Sequence, residues 1–311
     1  MKLSSLTRLT YEETPWGDYD LILLASGFEE RSCFTLASIP ESAIGKCVVL
    51  GFESDRHTLS RPKNDEIFGS RQLTPYVSAN PQAYENLIKE SLLSASRSVN
   101  DRPLRVFIDY SVMTRSWYSY LLTWLRYSDD AVNADVDFVY AYGHYENEFE
   151  PLHIDEISAI PGFEGGCAGA RRTIAFFGLG YDRYATLAVN ELIEPDHVTC
   201  YIAREAPNDV RSQRVLDENK ELIAISGTLP IYLPLGNIQE SFRILHEHFT
   251  QVPDEDEVIA IPMGPKPHVL ATLMVSQYVQ RITCLHARGS RTKPVQVVAS
   301  GEVSAWRGEY R

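Results

Sequence analysis

Short unbroken apolar runs recur along this chain, separated by longer stretches in which apolar residues return every three or four positions. LILLAS (21–26), LRVFID (104–109), TIAFFG (173–178) and EVIAIP (257–262) are runs of the first kind, with shorter ones near 47–51 and 198–203. A run that is apolar at every position predicts a strand covered on both faces, as in a parallel sheet. The amphipathic stretches between them predict helices, and the alternation predicts βαβ units with right-handed crossovers. SWYSYLLTWLRYS (116–128) has a wide apolar face for packing on the sheet or on the other half, and its Trp and Tyr residues are assigned to the core.

The pattern repeats. LILLASGFEERSCFTLASI and RTIAFFGLGYDRYATLAVNEL each read as a strand, a glycine turn and a helix. One shift of 153 residues takes Gly27 to Gly180, Cys47 to Cys200 and Arg115 to His268. Toward the end the shift becomes 146, matching VDFVYAY with ITCLHAR and ISAIPG (157–162) with VSAWRG (303–308). The expected fold is therefore α/β: two tandem Rossmann-like halves, each a mostly parallel five-stranded sheet flanked by helices. The halves are placed at 1–167 and 168–311. The boundary falls in GFEGGCAGA, read as a linker because a phosphate loop follows a strand, whereas this stretch precedes one.

Composition narrows the function. A length of 311 residues suits two domains, and a formal charge of -13 excludes broad binding to nucleic acid through clustered Lys and Arg. A small cationic pocket within an acidic shell stays compatible with that charge. Cys33, Cys47, Cys167, Cys200 and Cys284 are far apart and form no CxxC pair, as expected of reduced thiols in a cytoplasmic protein. The N-terminus lacks the apolar stretch of a signal peptide, and no run approaches the ~18 apolar residues of a membrane span. No metal-ligand spacing such as HExxH occurs, so no metal is expected, and the sequence names no cofactor.

The candidate chemistry lies where strands end. In an open parallel sheet of order 3-2-1-4-5, ligands bind beyond the carboxyl ends of the first and fourth strands. In the first half this crevice would hold GFEERS and DYSVMTR. Gly27 permits a sharp turn and close approach to a ligand. Arg31 and Arg115 offer forked hydrogen bonds to a phosphate or carboxylate. Ser111 or Thr114 stands at a helix N-cap, where free N–H groups favour an anion. Asp109, Glu29 and Glu30 are the candidate catalytic carboxylates. The alternative is structural: Ser111 or Thr114 only caps the helix, and Asp109 pairs with Arg115.

In the second half the crevice would hold GLGYDRY and PMGPKPH, with Gly180, Asp182, Arg183, Gly264, Lys266 and His268 as binding candidates. Two prolines stiffen the second of these turns. Lys266 at a helix start is electrostatically unfavourable without an anion, unless it is an ordinary surface lysine. Asp182 occupies the region where a dinucleotide fingerprint has its third small residue, so a nicotinamide or flavin dinucleotide site is not expected.

In placement and chemistry, GFEERS with SVMTR, and GLGYDR with GPKPH, resemble the ligand loops of CARF-type domains. These are the Rossmann-like sensors of cyclic oligonucleotides in prokaryotic antiviral systems; the Gly-Gly-Thr-Lys run typical of them is absent here. The leading expectation is binding of a nucleotide or other phosphorylated small molecule at the crevice. Arg31, Arg115 and Lys266 would supply positive charge, while Glu29, Asp109 and Asp182 would read hydroxyls or base edges. The resemblance implies a sensor or regulatory subunit acting through a partner protein or a second copy, with no membrane involved. One alternative is an enzyme: a nucleotide-processing hydrolase or transferase, or a SAM-dependent methyltransferase reading a ribose through Glu53 or Glu205. The other is a non-catalytic scaffold subunit with vestigial crevices.

Overall fold

The computed structural model of the chain describes residues 1–54, 56–145, 151–166, 169–205, 209–290 and 294–311. It divides into two compact units, Met1–Glu148 with Pro294–Arg311, and Phe149–Lys293. Unit 1 runs through β1 (Leu3–Arg8), β2 (Leu21–Ser26), α1 (Glu41–Ile44), β3 (Cys47–Gly51), α2 (Arg61–Ser70), α3 (Pro81–Arg97), β4 (Leu104–Asp109), α4 (Arg115–Tyr127) and β5 (Ala134–Tyr145). Unit 2 contains β6 (His153–Ala159), β7 (Thr173–Gly178), α5 (Arg183–Ile193), β8 (His197–Ala203), α6 (Val210–Glu218), α7 (Lys220–Ser226), β9 (Ile231–Leu233), α8 (Ile238–Gln251), β10 (Glu257–Pro262), α9 (Lys266–Ser276) and β11 (Ile282–Ser290). The last strand, β12 (Val297–Tyr310), belongs to unit 1.

The strands form where the apolar runs predict them. All six residues of β2 are buried, so side chains alternating to opposite faces of the sheet both meet covered surfaces. In unit 2, β11-β10-β7-β8-β9 run parallel. In unit 1, β5-β4-β2-β3 do the same, and a bridge from Leu50 to Tyr76 marks the third-strand position. Both units thus have the Rossmann-like order 3-2-1-4-5. Several helices start on side-chain caps: Asn80 accepts from the Gln82 N–H, and Asn237, at the matching helix of unit 2, accepts from the Glu240 N–H, both at 3.0 Å. The described residues include no helix long and apolar enough to cross a membrane.

Each sheet has six strands among the described residues rather than the expected five, because antiparallel strands extend it beyond the parallel set. Their origin is crossed. β6 follows β5 in the chain yet pairs with β11, and β12 follows β11 yet pairs with β5. Val139 pairs with Ala305 and Tyr140 with Ser304; Leu285 pairs with Ala159 and His286 with Ser158. The 146-residue shift converts one set of pairs into the other. The two repeats have exchanged their final strands in an unchanged register.

This exchange corrects the domain boundaries. The division expected at 167/168 falls on Cys167 and Ala168, which lie outside the described residues, whereas the chain changes unit at 148/149 and returns at 293/294. The returning strand is pinned by charge. Asp137, 1% exposed in the middle of β5, accepts two hydrogen bonds from Arg307 of β12 and a third from the Tyr19 hydroxyl. Burial and the adjacent Asp137 carboxylate together push the Tyr19 phenol far above its ordinary range.

Candidate functional site

The glycine turn that ends the first parallel strand is built the same way in both units. In unit 1 the Gly27 N–H donates to Ser32 Oγ at 3.0 Å, and its carbonyl accepts from Asn64 Nδ2 at 2.8 Å. In unit 2 the Gly180 carbonyl accepts from Asn219 Nδ2 at 2.8 Å, and Asn219 Oδ1 accepts from the Thr186 hydroxyl at 3.0 Å. The Cys33 thiol donates to Asn64 Oδ1 at 3.5 Å, and Cys33 maps to Thr186 on the same shift that maps Gly27 to Gly180. Each turn is therefore latched by an asparagine from the helical segment after the second strand. Sequence reasoning missed both asparagines, because they are two residues out of step with the repeat.

The first crevice brings most of its predicted residues together, as a closed network. Arg31 is 3% exposed; its Nε donates to Glu29 at 2.6 Å, and one η nitrogen donates to the Ala141 carbonyl at 2.8 Å and to Tyr140 Oη at 3.1 Å. The guanidinium also lies 5.1 Å from the centre of the Tyr140 ring. Asp109, buried at the end of β4, accepts from the Thr35 hydroxyl at 2.5 Å and from the Ser111 N–H at 2.9 Å. Burial raises its pKa, with those hydrogen bonds and the Arg31 charge opposing. Ser111 Oγ accepts from the Ala141 N–H at 2.7 Å. Thr114 caps α4 through the Trp117 N–H. Glu30 is exposed at the start of a 3-10 turn, and Arg115 is half-buried at the first position of α4. The network ties the carboxyl ends of β2, β4 and β5 to one another. The charge facing Asp109 is that of Arg31, and both sit inside the protein.

The second crevice is narrowed by its own backbone. A Cβ at Gly180 would stand 2.7 Å from the Met263 carbonyl oxygen, and one at Gly264 would stand 2.9 Å from that of Leu179. The two glycines let the loops after β7 and β10 touch each other. Asp182 caps α5, accepting from the Ala185 N–H at 3.2 Å, and also accepts from the Leu152 N–H at 2.8 Å. The Arg183 guanidinium lies over the neighbouring Tyr184 ring at 4.7 Å. His268, 2% exposed, donates from Nε2 to the Pro234 carbonyl at 3.3 Å, and burial pushes its pKa down to about 4. Lys266 is half-buried at the first position of α9.

An open space lies beside that crevice, at the carboxyl ends of β8 and β9. A cavity of about 600 Å³ is lined there by Arg204, Asp209, Ser212, Arg214, Asp217 and Tyr232, among others. The Arg204 guanidinium carbon lies over the Tyr232 ring, 3.7 Å from its centre. Arg214 lies 4.9 Å from the centre of the Tyr181 ring, in the turn between Gly180 and Asp182. Burial raises the Tyr181 pKa, with Arg211 and Arg214 pulling against it. Asp209 caps α6, accepting from the Arg211 N–H at 3.0 Å, and its other oxygen lies 2.9 Å from Ser212 Oγ.

In unit 1 the corner after β3 is filled. Arg61, 1% exposed at the start of α2, donates to Asp65 at 2.8 Å and to the Phe52 carbonyl at 2.9 Å. Sequence reasoning did not single out Arg204, Arg214 or Tyr232, which come from three elements and share no local motif. The one signal was the strand end YIARE, considered only for Glu205 as a ribose-binding acid. Glu205 is exposed beside Arg204, and Glu53, its counterpart in the methyltransferase reading, is exposed and paired with Arg56. The described residues contain no group of three His, Cys, Asp or Glu that could hold a metal ion.

No protein-family model matches the chain, and no curated protein does. Among solved structures, the cytoplasmic domain of a prokaryotic cation chloride cotransporter is similar at 14% identity and a TM-score of 0.25, over 87% of this chain and 96% of that one.

Proposed function

We propose that this protein is a non-catalytic binding module that takes a nucleotide or similar phosphorylated small molecule in the cavity of unit 2. The observation that carries this reading is the pairing of Arg204 with Tyr232 in the lining of an open cavity of about 600 Å³. That volume lies in the range of small-molecule sites, roughly 300–1,000 Å³. Its position beyond the carboxyl ends of parallel strands is where open α/β sheets bind ligands. A guanidinium lying on an aromatic ring presents a flat, charged surface on which a base can stack while a phosphate is held. Asp217, in the same lining, suits ribose hydroxyls and exocyclic amines.

The proposed site is thus displaced from the crevice between the first and fourth strands, where in unit 1 Arg31 engages Glu29 and the Ala141 carbonyl. Asp109 supports this: it is buried, both its oxygens already accept hydrogen bonds, and its surroundings favour the uncharged form. A general base must reach its substrate, and Asp109 is 4% exposed. The biological setting that fits is a sensor or regulatory subunit, coupled to a partner protein or a second copy. Calorimetric titration with AMP, GMP, CMP and UMP tests the reading. At least one should bind, and Arg204→Ala should weaken it tenfold or more without lowering the melting temperature appreciably. Heat-silent titrations with all four would sink the proposal, and conversion of the nucleotide during incubation would restore the enzymatic alternative.

A further inference from the structure

We infer that the ligand of this cavity is a nucleoside monophosphate, and that the acidic residues of the lining shut out the triphosphates. The inference rests on the reading above and deepens it, by setting how much negative charge the site accepts. Two guanidinium groups, of Arg204 and Arg214, share the lining with three carboxylates, those of Asp209, Asp217 and Glu218. Arg214 lies over the Tyr181 ring, which leaves the phosphate to Arg204 on its platform of Tyr232. One forked cation suits one phosphate.

The helix beside the cavity works against further phosphates at both ends. A helix N-terminus is where α/β folds commonly cradle a phosphate, through free N–H groups and the helix dipole. At the start of α6 that place is taken by the chain's own anion: Asp209 accepts from the Arg211 N–H at 3.0 Å and from the Ser212 hydroxyl at 2.9 Å. Asp217 and Glu218 stand in the last turn of α6, at the negative end of its dipole. Asp217 accepts from Gln213 Nε2 at 3.0 Å, and among the described residues neither carboxylate forms an ion pair. Each added phosphate therefore brings negative charge toward carboxylates that no cation neutralises, and like charges set side by side are costly. A metal ion bridging a triphosphate to the protein needs clustered ligands, and the described residues hold no group of three His, Cys, Asp or Glu suited to one.

The experiment titrates the full chain by calorimetry with the mono- and triphosphates of adenosine, guanosine, cytidine and uridine, with and without magnesium. The monophosphate that binds tightest should exceed its own triphosphate by about tenfold or more in both conditions. Asp209→Asn keeps a good helix cap and Glu218→Gln keeps the side chain's length, so each removes charge alone. Together they should narrow the ratio by about threefold or more. Salt gives the same comparison without a substitution. Raising it from about 0.1 M to about 1 M shortens the screening length from ~10 Å to ~3 Å and should also narrow the ratio. A triphosphate that matches or outbinds its monophosphate, with or without magnesium, overturns the inference and leaves the cavity reading standing. A preference that neither the double variant nor salt narrows comes from the shape of the cavity and overturns the role given to the carboxylates. Absence of binding by all eight nucleotides is failure of the cavity reading itself.

Discussion

Arg307 grips Asp137 with two parallel hydrogen bonds, Nε at 2.7 Å and an η nitrogen at 2.8 Å, at the seam where the exchanged strand β12 joins β5. Asp137 is buried and also accepts from Tyr19 Oη at 2.5 Å, so the β5 carboxylate ties the returning strand to the segment before β2. Removing one partner of a buried ion pair leaves the other charge uncompensated, at a cost of roughly 3–5 kcal/mol. Because Arg307 is partly exposed, water offsets some of that cost, and Arg307→Ala should lower unfolding free energy by about 3 kcal/mol. Urea denaturation followed by circular dichroism measures it. A loss under about 1 kcal/mol would mean that the strand is held by its backbone ladder alone.

The exchange also shows where sequence reasoning stops. β2, β4, β7 and β10 were legible because a strand buried on both faces must be apolar at every position, and LILLAS or EVIAIP has few other uses in a soluble sheet. The partner of the last strand was not legible. Ile157 and Val303 are the same residue of the repeat, and β5 and β11 offer the same register to either. Among the site residues, Gly27, Arg31, Asp109 and Ser111 were grouped from their places at strand ends. Whether Arg31 faces a ligand or Glu29 depends on its side-chain rotamer and burial, which spacing does not encode. Arg204, Tyr232 and Arg214 come together only when β8, β9 and α6 do.

Asp109 should tolerate loss of its charge. Its pKa is raised, so folding favours the protonated form. That contribution is fully present below the unfolded value near 3.8 and is lost as pH rises through the folded value. Asp109→Asn keeps an acceptor for the Ser111 N–H, and the Thr35 hydroxyl can accept from the new amide. The variant should be at least as stable as the parent at pH 8, with its relative advantage shrinking toward pH 4. Denaturant midpoints at the two pH values check this. A loss above about 2 kcal/mol at pH 8 would identify the ionised carboxylate as a required partner of Arg31.

His268 carries the opposite pH dependence. Its pKa falls from 6.5 to about 4 on folding, so its contribution is present above pH 6.5 and lost as pH falls through 4. Between pH 7 and 4.5 the parent should therefore lose roughly 2–3 kcal/mol more stability than His268→Gln, which has no proton to gain. Paired urea curves at the two pH values give the difference. Parallel losses in parent and variant would show that the imidazole protonates in the folded state at little cost.

The asparagine latches separate the stability of the turns from the proposed function. Asn219 is buried, and its amide is the donor to the Gly180 carbonyl; Asn64 has the same role for Gly27. Alanine at either position leaves a buried carbonyl unpaired, a cost of about 1–3 kcal/mol. The two substitutions should therefore be similar in thermal denaturation. They should differ in binding, because Gly180 precedes Tyr181, the ring under Arg214 at the open cavity, whereas the corner after β3 in unit 1 is filled by Arg61. Loosening the turn at Gly180 should weaken the ligand several-fold in Asn219→Ala, while Asn64→Ala should bind as the parent does. Calorimetry on both variants, at a temperature where each is fully folded, decides the matter. Weakening in Asn64→Ala alone would place the ligand in unit 1, and equal weakening in the two would show that a global loosening of the fold, not the turn at Gly180, sets the affinity.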